Sequence, residues 1–318
     1  AVLRQTQICI YAVSVPQIRL ALAQINPVVG DLAGNVVKCL AAVQSAAAKG
    51  ADIVVLPEMV ITGYPIEDLA LRPSFQLASE DATQKFAESL KSAGLGSILI
   101  FVGYLRGTND TEAKTLGVPR GGPMNCAAVI YDGAAHASYA KHHLPNYGVF
   151  DEYRYFEPAK NVQCVNVAGQ KIALTICEDL WNVSESPLYD HAPMDLLLQE
   201  KPTLMINIAA SPFDYEQQQK RKKMLQANCI KYQLPLIYVN HVGSQTEIIF
   251  DGGSMVLNAS GELIAEAKYF EESIYAIDDF ALLLSENKMI IPSTHTAIEK
   301  IEQALLMGIR DYFQKSNF

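Results

Sequence analysis

Short apolar runs alternate with amphipathic stretches along most of this chain. Residues 18–25 form an apolar run of strand length, and a helix is predicted to follow the turn at Gly30 and Asp31 and to end near Lys49. This helix would turn one apolar face towards a core: Val36, Val37, Leu40 and Val43. Residues 52–56 are almost entirely aliphatic, which is typical of a strand buried on both faces.

The same alternation predicts the secondary structure of the remaining chain. Asp132-Gly133 is a strong signal for a hairpin turn between residues 126–131 and 135–141. Further strands are predicted at 98–104, 162–167, 171–176, 204–208 and 236–240, and helices at 74–92, 187–200 and 215–232. Residues 255–257, 263–267 and 273–277 are predicted to form a terminal antiparallel set. A last helix, at 296–313, would carry one apolar face: Ile298, Ile301, Leu305, Ile309 and Tyr312.

Hairpins and βα units in one chain predict an α/β fold with a mixed sheet layered by helices. A single domain is expected over residues 18–318, because the chain contains no Pro/Ser-rich linker and no repeat. Residues 1–17 are interpreted as an N-terminal extension, non-native or disordered, and residues 107–123 as a glycine-rich surface loop.

Composition excludes several classes of function. Half of the 318 residues are hydrophobic and 19% are charged, so a large core can be buried. The net charge of −9 argues against a nucleic-acid-binding surface, and no stretch predicts a membrane span. The basic run at 220–223 is interpreted as a solvated helix face. Six cysteines without CxxC pairs favour free thiols in the cytoplasm, and no residue spacing predicts a metal site.

Three predicted strands end in residues that can do chemistry together. Cys177 follows the strand at 171–176, Glu58 follows 52–56, and Lys141 ends the hairpin. A cysteine is a nucleophile only as the thiolate, and it therefore needs a base or a cation nearby. Glu58 would be the general base, Lys141 would stabilise the thiolate and an oxyanion, and the backbone N–H of Glu178 would be a second oxyanion donor. This set predicts a thiol amidase.

Each of these residues also has a structural interpretation. A cysteine after an apolar strand is usually a small core residue, and a buried glutamate usually forms a salt bridge. His142 and His143 are interpreted as structural or supporting residues. Ser211 also follows a strand, where it could cap the next helix, although Asp214 could fill that role instead.

The chain resembles the carbon–nitrogen hydrolase (nitrilase) superfamily, and more closely the N-terminal glutaminase domain of glutamine-dependent NAD⁺ synthetases. The resemblance runs from about Ile18 to the C-terminus. It is carried by LALAQINPVVGD at 20–31, LPE at 56–58, TGYP at 62–65, the segment 141–152, ICEDLW at 176–181 and ASPF at 210–213. The loop LPNYGVFDE at 144–152 is more specific than the Glu-Lys-Cys set and indicates the synthetase group.

The resemblance implies a four-layer αββα sandwich with Glu58 as base, Lys141 as electrostatic support and Cys177 as nucleophile. It further implies that Tyr147 and Ser211 contact the amino-acid end of glutamine and that Glu152 supports the lysine. The family commonly has a lysine six residues after that serine, where this chain has Gln217. Lys220 could substitute for it as the cation that holds the substrate carboxylate.

Family synthetases continue into an ATP-pyrophosphatase domain with a Ser-Gly-Gly-rich phosphate loop, and this chain has no comparable loop. The expectation is a chain cut at the domain boundary or a naturally separate subunit. The implied partners are L-glutamine and a synthetase domain in cis or trans, which would use deamido-NAD⁺, ATP and Mg²⁺. No cofactor is expected in this domain itself, and a homo-oligomer is expected. The alternatives are another ω-amidase or carbamoyl amidase, and a regulatory module that is dormant without its synthetase domain.

Overall fold

The computed structural model describes residues 18–107, 122–167, 170–183, 187–245, 247–277, 296–316 and 318. The predicted extension at 1–17, most of the predicted loop at 107–123 and the turn at 168–169 lie outside the described residues.

The described residues form fourteen β-strands and six α-helices. The strands are β1 Leu20–Gln24, β2 Ile53–Val55, β3 Leu99–Arg106, β4 Met124–Tyr131, β5 Ala134–Ala140, β6 Val165–Val167, β7 Gln170–Ile176, β8 Leu204–Ala209, β9 Leu236–Asn240, β10 Val242–Gln245, β11 Ile248–Asp251, β12 Met255–Leu257, β13 Leu263–Glu266 and β14 Ser273–Ile277. The helices are α1 Leu32–Ala48, α2 Pro73–Ser92, α3 Glu152–Tyr155, α4 Pro193–Leu197, α5 Gln217–Tyr232 and α6 Ala297–Lys315. Most predicted elements are confirmed within a few residues.

Two six-stranded mixed sheets form the centre of the molecule. The first has the strand order β14-β1-β2-β3-β4-β5 and the second β13-β12-β9-β8-β7-β6, while β10 and β11 form a separate hairpin. Strands β1, β2 and β3 are parallel in the first sheet, as are β7, β8 and β9 in the second. Parallel strands of this kind are typical of sheets covered on both faces, which agrees with the aliphatic runs that predicted them.

Alternate residues of β1 show how the layers are stacked. Leu20 and Leu22 pack in the core between the two sheets, whereas Ala21 and Ala23 pack under α1 and α2. Helices α4 and α5 contribute apolar side chains to the core of the second sheet. The layers therefore run helix, sheet, sheet, helix, and the predicted four-layer αββα sandwich is confirmed.

Strand β14 is the main correction to the predicted topology. It does not extend the antiparallel set of β12 and β13 but crosses to the first sheet, where it pairs antiparallel with β1 from Leu20↔Ile277 to Gln24↔Ser273. The hairpin of β10 and β11 was not predicted. An apolar pattern identifies a strand but not its partner, because the choice of partner depends on contacts between residues distant in sequence.

Predicted helix faces differ from the structure at one residue of α1 and along all of α6. On α1, Val43 is buried and Val36 and Leu40 pack against the same core, as predicted, whereas Val37 is 66% exposed. On α6 the whole predicted apolar face is exposed, and Ala304, Met307 and Asp311 are the buried residues. Polar anchoring decides the orientation of α6, since Asp311 accepts hydrogen bonds from Asn26 Nδ2 at 2.7 Å and from the backbone N–H of Ser244 at 2.8 Å.

None of the helices in the described part of the chain is both long enough and apolar enough to cross a membrane.

Candidate active site

Cys177 lies at the corner where strand β7, an inner strand of the second sheet, ends. The residue has a φ of +41° and begins a short 3₁₀ helix that ends at Leu180, so it follows the strand rather than closing it. Its carbonyl accepts a hydrogen bond from Asn207 Nδ2 at 3.4 Å. A left-handed conformation is uncommon for a residue with a side chain, and such residues often occur at functional sites. The backbone here places the thiol among charged groups from the other sheet.

Glu58 reaches this corner from the first sheet, two residues beyond the predicted strand end at Leu56. Its side chain is only 1% exposed. Oε1 accepts hydrogen bonds from Lys141 Nζ at 2.8 Å and from Asn125 Nδ2 at 2.6 Å, and Oε2 accepts one from the backbone N–H of Ala210 at 2.7 Å. Three donors therefore fix the position of a carboxylate that is removed from water.

Lys141 follows β5 and is as buried as Glu58. Its ammonium group donates to Glu58 Oε1 and to Glu152 Oε1, both at 2.8 Å. Burial alone would lower the pKa of Lys141, but the two carboxylates outweigh burial and raise the pKa well above its ordinary value. Lys141 therefore stays positively charged between two glutamates from different parts of the chain.

The thiol of Cys177 interacts electrostatically with this ion pair. Burial is the first cause that raises the pKa of Cys177 well above its ordinary value, the negative charge of Glu58 adds to it, and the positive charge of Lys141 opposes it. The thiol is therefore protonated at neutral pH. A nucleophilic role requires a base that removes this proton.

Glu152 is the second carboxylate on Lys141, as the resemblance implied. Its Oε1 also accepts a hydrogen bond from the hydroxyl of Tyr64 at 2.8 Å. Burial raises the pKa of Glu152 to about 7, although the positive charge of Lys141 opposes the rise. Glu152 is thus a second carboxylate, besides Glu58, that holds Lys141.

Glu178, next to the cysteine, is held by two tyrosines. The hydroxyl of Tyr147 lies 2.9 Å from both carboxylate oxygens, and that of Tyr189 lies 3.1 Å from Oε1. Burial raises the pKa of Glu178 to about 7, while Lys141 and the two tyrosine hydroxyls lower it. The Tyr147 side chain is 44% exposed, so this group joins the buried corner to the surface.

Asp179 ties the cysteine corner to the segment that carries the lysine. Its Oδ1 accepts hydrogen bonds from the backbone N–H groups of His142 and His143 at 3.0 and 2.8 Å, and its Oδ2 accepts one from the backbone N–H of Ile176 at 2.9 Å. One buried carboxylate thereby links the segment after β5 to the end of β7.

Ser211 follows β8 and does not cap the next helix. Asn240 Oδ1 accepts a hydrogen bond from its backbone N–H at 2.8 Å, and Asn240 Nδ2 donates to its carbonyl at 3.1 Å. Helix α5 begins only at Gln217, and Asp214 accepts from the backbone N–H of Glu216 in the turn before it. The structural role considered for Ser211 is therefore wrong.

The cation in contact with Ser211 is a residue that was not predicted. Within the described part of the chain, no hydrogen bond joins the side chain of Gln217 to this group. Lys220 is exposed and forms an ion pair with Glu216 at 3.0 Å, one turn earlier on the chain. Arg221 is fully buried and donates through Nη1 to Ser211 Oγ at 3.4 Å. The interpretation of 220–223 as a solvated face is therefore wrong for Arg221.

The structure thus gathers most of the predicted residues and adds several that were missed. Glu58, Lys141, Glu152, Cys177, Glu178 and Tyr147 form one connected group. The missed members are Tyr64, Asn125, Asp179, Tyr189 and Arg221, together with the backbone N–H of Ala210. Asp179 and Tyr64 lie inside motifs that carried the resemblance, and this was the available signal for them. Among the described residues, no group of three or more His, Cys, Asp or Glu side chains could hold a metal ion.

Comparison with known proteins identifies the family. A sequence profile of the family "Carbon-nitrogen hydrolase" matches residues 19–281. The chain belongs to the carbon–nitrogen hydrolase family. It is 34% identical to the glutamine-dependent NAD(+) synthetase of Thermotoga maritima over 95% of this chain and 54% of that protein. It is 35% identical to the enzyme of the same name from Synechocystis sp. over 94% of this chain and 53% of that protein.

Two solved structures share the fold. The glutamine-dependent NAD+ synthetase from Acinetobacter baumannii, in complex with adenosine diphosphate, matches with a TM-score of 0.80 at 31% identity, over 95% of this chain and 53% of that chain. The NitN amidase from Neterenkonia sp. AN1 matches with a TM-score of 0.66 at 21% identity, over 82% and 92% of the two chains. This carbon–nitrogen hydrolase spans about half the length of the curated synthetases that it matches. The family predicted from the sequence motifs is confirmed.

Proposed function

We propose that this carbon–nitrogen hydrolase is a glutamine amidohydrolase that acts through a cysteine thioester. The observation that carries the proposal is the buried Glu58–Lys141 ion pair in electrostatic contact with the protonated thiol of Cys177. A buried base, a permanent cation and a thiol are the three groups that amide hydrolysis by a cysteine requires. The relatives named glutamine-dependent NAD(+) synthetase support glutamine as the substrate.

The reaction begins with proton transfer from the Cys177 thiol to Glu58. The thiolate attacks the side-chain amide carbon of glutamine, and the carbonyl oxygen becomes an oxyanion. Lys141 and the backbone N–H of Glu178 stabilise this oxyanion, a contribution of about 3 kcal/mol per donor in comparable sites. Glu152 and Glu58 hold Lys141 in place for this task.

Glu58 then passes its proton to the leaving nitrogen, the C–N bond breaks, and ammonia leaves a glutamyl thioester on Cys177. A water molecule gives a proton to Glu58 and attacks the thioester carbon. Collapse of the second tetrahedral intermediate returns the proton to the sulfur and releases glutamate. Ammonia and glutamate are the products, and every proton is accounted for by Glu58.

Recognition of glutamine is assigned to two groups, Glu178 and Ser211. The carboxylate of Glu178, held by Tyr147, is a partner for the α-ammonium group of the substrate. The hydroxyl of Ser211 is a donor for the substrate α-carboxylate. Gln217, at the position where the family commonly has a lysine, stays a predicted contact of the substrate.

Within a longer enzyme, the ammonia would serve NAD⁺ synthesis. The relatives are about twice as long as this chain, and a synthetase domain in cis or trans would use the ammonia with deamido-NAD⁺, ATP and Mg²⁺. The glutaminase step as proposed uses only side chains of this domain and requires no cofactor. Homo-oligomer formation is part of the same proposal and is measured by sedimentation of the purified protein.

The Cys177→Ala variant tests the thioester route. It lacks the attacking sulfur, so steady-state glutaminase activity should fall by about 10⁴-fold or more, and the burst of ammonia seen on rapid mixing should vanish. Cys164→Ala is the matched control, because it removes a buried thiol that takes no part in the ion pair and should retain activity. Appreciable glutamine turnover by Cys177→Ala would refute the proposal.

Substrate profiling separates glutaminase from a general amidase. A glutaminase of this design should prefer glutamine strongly over butyramide, which lacks both the ammonium and the carboxylate group. Equal kcat/KM for the two amides would instead favour another amidase of the family.

A further inference from the structure

The side chain of Ser211 is contacted by a buried ion pair that the reaction itself does not use. Arg221 on α5 donates through Nη2 to both carboxylate oxygens of Asp251, at 2.9 and 2.8 Å. Both residues are almost completely buried, at 0% and 1% exposure. Since burying two charges is costly, a pair in this position calls for an explanation other than stability.

Arg221 also contacts Tyr238 and Ser211. Its guanidinium carbon lies 5.8 Å from the ring centroid of Tyr238, and its Nη1 donates to Ser211 Oγ at 3.4 Å. The pair with Asp251 and the contact with the Tyr238 ring together fix the plane of the guanidinium group. The donor that faces Ser211 is therefore held in one orientation.

This contact restricts where the Ser211 hydroxyl can donate. A guanidinium group has five donors and no acceptor, so the serine oxygen must accept from Arg221 and its own proton must be directed elsewhere. The backbone of Ser211 is already fixed on both sides by Asn240. The hydroxyl proton is thus the part of Ser211 left to bind a substrate acceptor.

Among the described residues, the Ser211 hydroxyl donates no hydrogen bond. The nearby phenol oxygen of Tyr238 is buried and has no hydrogen-bond partner there either. A carboxylate is a strong acceptor, because it carries a full negative charge. A substrate carboxylate would therefore become the partner of the Ser211 proton.

The pairing with Asp251 indicates that Arg221 orients Ser211 and does not bind the substrate carboxylate itself. A free arginine next to Ser211 would itself attract a carboxylate, but the charge of Arg221 is neutralised by Asp251 and enclosed by protein. A negatively charged ligand would therefore gain less from Arg221 than from a donor that Arg221 orients.

We propose that Arg221, held by Asp251, is a positioning residue that directs the Ser211 hydroxyl towards the α-carboxylate of the amino-acid substrate. The inference rests on the proposed glutaminase function and deepens it. It assigns recognition of the substrate carboxylate to a relay of Asp251, Arg221 and Ser211, since this chain has Gln217 where the family commonly has a lysine.

The test compares Arg221→Lys, Ser211→Ala and the double variant in glutamine hydrolysis. Lysine keeps the charge beside Asp251 but loses the fork that reaches both Asp251 and Ser211. Each single variant should raise KM for glutamine about tenfold with kcat within about twofold, as expected for one lost hydrogen bond to a charged group. The double variant should be no worse than Ser211→Ala, because Arg221 acts through Ser211.

Two controls distinguish recognition from general damage. Lys220→Met changes the neighbouring exposed cation and should leave both constants unchanged. Alkylation of Cys177 by iodoacetamide, followed by mass spectrometry, needs no carboxylate recognition and should proceed at the wild-type rate in all variants. Additive losses in the double variant, or equal losses in alkylation and glutamine hydrolysis, would overturn the proposal.

A folding defect would not end the test. If Arg221→Lys is unstable, the paired substitution Arg221→Met with Asp251→Leu removes both buried charges and is better tolerated than loss of one. It should show the same rise in KM, and an unchanged KM would overturn the inference. A wild-type protein with no glutaminase activity contradicts the proposed function itself, whereas an active wild type with an unchanged KM in the variants contradicts the relay alone.

Discussion

At the scale of single residues, burial sets the protonation of the site. Burial raises the pKa of Glu152 and of Glu178 to about 7, from an ordinary value of 4.5. The folded protein therefore retains protons on these groups between about pH 4.5 and 7 that the unfolded chain has released. Their contribution to stability is fully present below pH 4.5 and is lost as the pH rises through 7.

The Glu178→Gln variant isolates this effect. Gln cannot ionise, so the variant escapes the cost of burying a carboxylate at high pH. From pH 5 to pH 8, the free energy of unfolding of the wild type should fall by about 3 kcal/mol more than that of Glu178→Gln. Denaturant unfolding at both values measures it, and Glu302→Gln, an exposed position on α6, controls for the loss of one negative charge. Parallel pH profiles for Glu178→Gln and wild type would show that Glu178 ionises without a folding cost.

The three reactive side chains were the part of the site that the sequence predicted best. Glu58, Lys141 and Cys177 follow apolar strands, and that pattern is visible in the sequence. Asn125 and Arg221 were missed because nothing in their local sequence indicates where their side chains reach. Asn125 lies 67 positions from the carboxylate that it contacts. Arg221 sits in a basic run that is otherwise typical of a solvated helix.

At the scale of elements, a glycine in β3 lets the Glu58 turn approach the sheet. A Cβ at Gly103 would lie 2.1 Å from the backbone nitrogen of Met59 and 2.5 Å from the carbonyl carbon of Glu58. The backbone N–H of Gly103 also donates to the carbonyl of Pro57 at 3.1 Å. Distances below 3.0 Å to main-chain atoms cannot be relieved by a rotamer change, so the turn or the strand has to move.

The Gly103→Ala variant should therefore displace the general base. Misplacement of a catalytic group by about 1 Å costs on the order of 100-fold in rate, so kcat should fall by about that factor. Gly308→Ala on α6 is the control, because its Cβ would meet only Ile249 Cδ1 at 3.5 Å, an ordinary contact, and alanine favours the helix. Wild-type kcat in Gly103→Ala would contradict the claim that β3 sets the position of Glu58.

The bounds of the helices and strands were predicted better than the partners against which they pack. The strand at 273–277 was predicted, but its partner β1 lies at the opposite end of the described chain. The exposed apolar face of α6 was predicted as a buried one, because the hydrophobic pattern does not record the polar anchoring of Asp311 to Asn26 and Ser244. The local hydrophobic pattern predicts whether a segment is a helix or a strand. Contacts between residues distant in sequence decide which of its faces is buried.

At the scale of the whole molecule, the αββα sandwich brings the three chemical groups together. Glu58 and Lys141 come from the first sheet, and Cys177 and the N–H of Ala210 come from the second. Their convergence was predicted through the family resemblance and through the shared position at strand ends. It could not be derived from spacing, because the relative position of the two sheets is set by the apolar core between them.

The central claim is that Cys177 alone among the cysteines reacts with glutamine. The most direct test is mass spectrometry after incubation with a diazo-ketone analogue of glutamine, in which the sulfur displaces N₂ and forms a stable thioether. We predict one label per chain, located on Cys177, prevented by excess glutamine and strongly slowed in Glu58→Gln. A label on any other cysteine, or labelling that glutamine does not prevent, would contradict the account.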